Sequence, residues 1–217
     1  MTVTVTATLS TRTAPTVPAT PTTPTTRDRI LACAVEIVAE AGVAALGVRE
    51  VARRAGVSHN APSRHFSTHL ALCTAVAAVG FSEFSTVLEQ SMAPHVDPFD
   101  RLCAQAGAYV RFSFAHPGMF ELMWRDDLVD HADAEFATVA VRSFEILRDG
   151  IIACQTTGWN VDTEPDTMAG VLWAWVHGLS QLWRTGGMPI FAMPLDLDAH
   201  LRAGFLALGL PLKEQSI

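Results

Sequence analysis

Arginine, asparagine and histidine crowd into one short stretch, Val48-Arg-Glu-Val-Ala-Arg-Arg-Ala-Gly-Val-Ser-His-Asn-Ala-Pro-Ser-Arg-His-Phe66. These side chains suit reading and gripping a nucleic acid rather than breaking bonds. Arginine makes two hydrogen bonds to guanine, and asparagine makes two to adenine. The spacing around them is that of a helix-turn-helix. Ala52 is small where two helices cross, and Gly56, four residues on, supplies the tight turn. Val57 and Phe66 plug the seam, and Ser58 is placed to cap the second helix. In such a motif the start of the second helix enters the major groove. That sets His59, Asn60, Ser63 and Arg64 where side chains meet base edges. Arg49, Arg53 and Arg54 lie on the preceding helix, which crosses the phosphate backbone. The competing interpretation is an αα-hairpin whose arginines are simply solvated.

Other chemistries find little support. The chain has no GxxxxGK[ST], GxGxxG, HExxH or GxSxG. No paired carboxylates or nucleophile–base set stands out, so no catalytic residue is assigned and an enzyme is not expected. The four cysteines, Cys33, Cys73, Cys103 and Cys154, lie 30 or more residues apart, with no CxxC or CxxH. They read as small buried hydrophobes, with no metal and no cofactor.

The elements that must position these residues are helices. Thr26 is a plausible N-cap for a helix from Arg27, with an apolar stripe through Ile30, Ala34, Ile37 and Val38 that Gly42 closes. Further helices are expected near 48–55, from Ser58 to His65 or Phe66, and at 69–90, 98–115, 118–126, 134–157, 164–185 and 197–208. The fold class is all-α, with about nine helices. Residues 1–26 hold 12 threonines and four prolines and read as a disordered tail. Residues 27–72 form the helix-turn-helix domain, and 73–217 a larger helical domain.

Residues 27–72 resemble the N-terminal domain of the TetR family of transcriptional repressors. The resemblance rests on ArgAspArgIleLeu, AlaGlyVal, ValArgGluValAlaArgArgAlaGlyValSer and ArgHisPhe. The phrase GlyValSerHis-x-AlaPro-x-ArgHisPhe at 56–66 resembles a subgroup whose C-terminal region carries Trp-x-His-Gly, present here as Trp175-Val-His177-Gly178. The resemblance runs from about residue 27 to 185. It implies a homodimer that binds operator DNA through three N-terminal helices and carries a ligand pocket in its helical core.

Three departures concern phosphate anchoring. Gly47 stands where Thr or Ser is usual before the second helix, Ser63 where Tyr is usual, and His69 where a basic residue is usual at the start of the fourth helix. Either weaker DNA binding than the family norm or reliance on Arg53, Arg54, Arg64 and His65 is expected. The resemblance also raises the prospect that some C-terminal aromatics line a pocket for a small, largely apolar effector, although core packing competes for each. Tyr109, Trp124, Phe144 and His177 are the candidates. For His177 a structural imidazole bonded to a backbone carbonyl competes with a ligand contact. Dimerisation falls to the last two long helices, through Val171, Leu172, Trp175, Leu179 and Leu182, and through Leu201, Phe205 and Leu208. The sequence does not separate the faces turned inward from those turned to a partner.

The formal charge of −7 argues at first against nucleic acid. Residues 1–72 nevertheless hold seven arginines against four acids, and residues 73–217 hold eight basic against 18 acidic residues. The negative charge belongs to the end facing away from DNA, and the small basic excess suggests modest binding. No signal peptide or membrane span is read, so a cytoplasmic protein is expected. Two functions from different classes remain: a ligand-responsive DNA-binding repressor, and a dimeric all-α small-molecule-binding protein or enzyme that has lost DNA binding.

Overall fold

The computed structural model describes residues 23–186 and 196–208, so most of the Thr/Pro-rich segment expected as a tail lies outside the described residues. The first helix, α1 (Thr26–Ala41), starts one residue earlier than expected. Thr25 rather than Thr26 is the N-cap, because Asp28 then falls at the third helical position and completes a capping box. The Asp28 amide donates to Thr25 Oγ1 at 3.2 Å, and the Thr25 amide donates to Asp28 Oδ2 at 2.9 Å. Gly42, at φ 78°, ends α1 where a side chain would be strained. A 3₁₀ turn at Val43–Ala45 leads to α2 (Val48–Ala55).

The short α3 spans Ala61–His65, not the longer stretch expected from Ser58. Proline explains the difference. Pro62 has no amide hydrogen to give the Ser58 carbonyl, which instead closes a turn with the Ala61 amide at 2.9 Å. Then come α4 (His69–Met92), α5 (Pro98–Ala115), α6 (Pro117–Met123), α7 (Ala134–Thr156), α8 (Pro165–Arg184) and α9 (Leu197–Ala207). Asp97 caps α5 through the Phe99 amide at 2.9 Å, and Asp133 caps α7 through the Phe136 amide at 2.9 Å. The fold is all-α, with nine α-helices and no strand among the described residues.

One continuous core joins the two ends of the molecule. Its axis is α4, which contributes Leu72 and Val76 near α1 and Phe84 and Leu88 deeper among the C-terminal helices. The boundary expected at residue 72 therefore lies inside a shared helix. Among the described residues α4 is also the one helix long and apolar enough to cross a membrane, and more than half of that stretch is buried within the fold. All four cysteines are free thiols. Burial pushes the Cys103 thiol up to about 12 and those of Cys73 and Cys154 to about 11, so these thiols stay protonated at neutral pH.

Trp175 of α8 packs against α9. A side chain on Gly204 would overlap the Trp175 indole, which also meets Phe205 edge-on at 5.1 Å. Of the residues expected at a dimer face, one row turns inward. Leu172, Leu179, Leu201 and Phe205 are all buried in the monomer's own core, and Trp175 is half-buried there. Val171, Leu182 and Leu208 remain exposed. Which row of an amphipathic helix faces inward depends on the neighbouring helices, so the periodicity alone did not separate the two rows.

Candidate functional site: nucleic-acid interface and ligand cavity

The helix-turn-helix is built from backbone closure and buried seams. Gly56 is left-handed, at φ 63° and ψ 35°, and the Val57 amide returns to the Ala52 carbonyl at 3.1 Å. Ala52 and Phe66 are buried, and Val57 is half-buried. Arg29 of α1 donates from Nη2 to the Ala55 carbonyl at 2.6 Å and so holds the end of α2. Its place in the first turn of α1 gave no sign of that role.

On this frame Ser58, His59, Asn60, Ser63, Arg64 and His65 are all exposed. His59 and Asn60 sit in the turn before α3, and Ser63, Arg64 and His65 sit on it. Gly47 caps α2 with no side-chain bond. His69 is engaged within the domain: its Nε2 lies 2.6 Å from the Leu46 carbonyl, a distance that requires the ring N–H to donate there.

The arginines of α2 are not equivalent. Arg53 makes two bonds to Glu50, at 2.8 and 2.6 Å, and Arg54 bridges Glu40 at 2.6 Å and Glu50 at 3.1 Å. These two arginines draw the Glu50 carboxyl down to about 2. Arg49 and Arg64 make no ion pair among the described residues. The i,i+3 and i,i+4 spacing from Glu50 to Arg53 and Arg54 was a signal for this pairing in the sequence. Glu50→Gln is therefore expected to raise affinity for random DNA about threefold to tenfold and to steepen its salt dependence. Gel retardation across a salt series checks this. An unchanged slope would mean that Glu50 does not restrain the two arginines.

Among the C-terminal helices lies an apolar cavity of about 350 Å³. Its walls come from α4, α5, α7, α8, α9 and the end of α6, and include Tyr109, Trp124 and Phe144. His177 is not in the wall. It stands behind Tyr109, stacked on Phe120 at 5.5 Å and edge-on to Trp124 at 5.2 Å. Its Nδ1 lies 2.8 Å from the Tyr109 hydroxyl, so its partner is a side chain rather than a backbone carbonyl. Burial, with the Arg184 charge second, holds the His177 imidazole below its ordinary value. Burial also pushes the Tyr109 hydroxyl up, so both groups are neutral at pH 7. Gln105, which sequence reasoning missed, lines the cavity at 4 % exposure, and its Oε1 has no hydrogen-bond partner. Nothing in the helical pattern marks a glutamine for burial. Among the described residues no group of three or more His, Cys, Asp or Glu is arranged to hold a metal ion.

The cavity and the helix-turn-helix meet through α6. Met123, at its end, forms part of the cavity wall. Gly118, in its first turn, lies against the end of α1, where any side chain would collide with the Val38 carbonyl and come within 3.2 Å of Gly42 Cα.

Both halves of the chain match known sequence families. Residues 30–76 match the family of bacterial regulatory proteins, tetR family, and residues 102–208 match the tetracyclin repressor-like C-terminal domain. Together these matches cover more than two thirds of the chain, which belongs to the TetR family. A protein of unknown function from Rhodococcus sp. RHA1 is 29 % identical, with a TM-score of 0.74 over 87 % of this chain and 96 % of that one. A bacterial regulatory protein of the tetR family from Rhodococcus RHA1 is 22 % identical, with a TM-score of 0.55 over 73 % of this chain and 85 % of that one. The multidrug binding protein EbrR, solved with imidazole, is 22 % identical, with a TM-score of 0.56 over 90 % of this chain and all of that one. No protein of curated function matches the chain.

Proposed function

We propose that this regulator is a homodimeric transcriptional repressor that binds a near-palindromic operator and is released by a small, largely apolar effector. The observation that carries this reading is the exposed set His59, Asn60, Ser63 and Arg64, presented at α3 on a closed helix-turn-helix frame. The Trp-x-His-Gly subgroup assignment belongs to the same reading and rests on Trp175, His177 and Gly178. Effector binding acts through α6, which borders both the cavity and α1, and so biases the spacing of the two recognition helices. Such a shift requires that the effector bind the two spacings with different affinity. The cytoplasm, where operator DNA is found, is the compartment this reading requires.

The partner surface is the outer row of α8. Val171 and Leu182 are 46 % and 52 % exposed, and Ala174 lies exposed between them. Val171→Asp together with Leu182→Arg is expected to give a folded monomer, with helical content unchanged and the sedimentation coefficient lowered. A dimer surviving both changes would remove this face from the interface. The functional test is retardation of promoter DNA at rising salt, with affinity falling steeply as phosphate counterions compete. Absence of retardation even at low salt would favour the second reading, a dimeric ligand-binding protein without DNA binding. Gly47, Ser63 and the internally bonded His69 favour that alternative.

A further inference from the structure

The polar chain behind the cavity has a direction. Arg184 Nη2 lies 3.2 Å from Gln181 Oε1, and a guanidinium can only donate, so the amide oxygen of Gln181 faces the arginine. The amide nitrogen then faces His177 Nε2 at 3.3 Å and meets it with an N–H. His177 must offer a lone pair at Nε2, which places its single ring proton on Nδ1. That proton points to the Tyr109 oxygen, 2.8 Å away. The Tyr109 oxygen is thereby used as an acceptor, as it is toward the Trp173 indole N–H, which can only donate, and its own hydrogen is left without a protein partner in this chain of bonds.

We infer that His177 holds Tyr109 as a hydrogen-bond donor to the cavity's occupant, and that the cavity selects neutral, largely apolar molecules bearing a carbonyl-type oxygen. The inference rests on the reading of the cavity as the effector site. Two further observations agree with it. The indole N–H of Trp124, a wall residue, is buried without a partner, and so is the amide oxygen of Gln105. The buried polar groups without a protein partner are thus uncharged, two donors and one acceptor, while the other polar wall side chains are Ser143 and the exposed pair His131 and Asp126, 3.1 Å apart. A ketone, ester or lactone oxygen satisfies such donors. A carboxylate would be buried with no arginine or lysine in the wall to compensate its charge. His177 is a positioning residue here, since it acts through Tyr109.

The test uses three naphthalene probes of nearly equal size: 2-acetylnaphthalene, 2-isopropenylnaphthalene and 2-naphthoate. Calorimetry on the full chain is expected to show the ketone binding about fivefold more tightly than the alkene, the worth of one neutral hydrogen bond, and the anion more weakly than the ketone. Tyr109→Phe is expected to bring the ketone down to the alkene and leave the alkene unchanged. Nitrogen-15 NMR of the imidazoles at neutral pH reads the tautomer directly. The His177 signal, assigned by its loss in His177→Asn or, should that variant not fold, in His177→Gln, is expected to show the proton on Nδ1. A proton on Nε2, or a ketone advantage that survives Tyr109→Phe, overturns the inference. Equal binding of ketone and alkene also overturns it while leaving the cavity a ligand site. Failure of all three probes to bind removes the cavity reading and the inference with it.

Discussion

Replacing Arg64 with alanine is expected to cut operator affinity about tenfold to a hundredfold, the range of one specific arginine–base contact. The helical content and the proposed dimer should be untouched. Arg64 is exposed on α3 and makes no ion pair among the described residues, so its guanidinium is available to DNA without first leaving a carboxylate. Arg53→Ala should cost much less, because Arg53 already shares Glu50 with Arg54. Titration of both variants against operator and random DNA separates the roles. Arg64→Ala should lose discrimination between the two DNAs, whereas a phosphate contact would weaken both alike. Loss of the dimer in Arg64→Ala would place that side chain in the wrong role.

The second large effect is at Gly118. A methyl group there collides with the backbone carbonyl of Val38, which has no rotamer to adopt. Nor can α6 withdraw freely, since Phe120, Leu122 and Met123 behind it are almost wholly buried. Gly118→Ala is expected to destabilise the fold by roughly 1–3 kcal/mol, as overpacking does. For a chain of this size that lowers Tm by roughly 2–4 °C per kcal/mol. It should also separate α6 from α1, so that DNA affinity changes before any effector is added. Melting curves and DNA titrations on one preparation test both parts. Wild-type stability with wild-type DNA affinity would mean that α6 does not link cavity and recognition helix.

The parts legible in the sequence were those governed by local rules. Gly56, Ala52 and Phe66 announced the turn and its seam, and the starts expected at residues 98 and 134 coincide with those of α5 and α7. Capping was less legible, since Thr25 displaced Thr26 as the cap of α1 once Asp28 completed its box. The start of α3 was misplaced because Ser58 has the chemistry of a cap, while Pro62 withholds the amide that a helix beginning there would need. Tyr109 and His177 are 68 residues apart, and only the crossing of α5 and α8 brings them together. The same limit hid Gln105 in the cavity wall and left Leu172 and Val171, adjacent in sequence, indistinguishable as core and surface. Glu50 is the exception: its pairing with Arg53 and Arg54 is a local rule that the basic character of the stretch obscured.

Selection of DNA from a random pool by the full-length protein tests the central claim most directly, because it reports activity, sequence and geometry together. The account predicts enrichment of a near-palindrome whose half-sites are centred about one helical turn apart, roughly 34 Å, or at a larger spacing that the dimer sets. Arg64→Ala should lose that enrichment. A pool that emerges unenriched at low salt, or that yields the same sequences with Arg64→Ala, would contradict it.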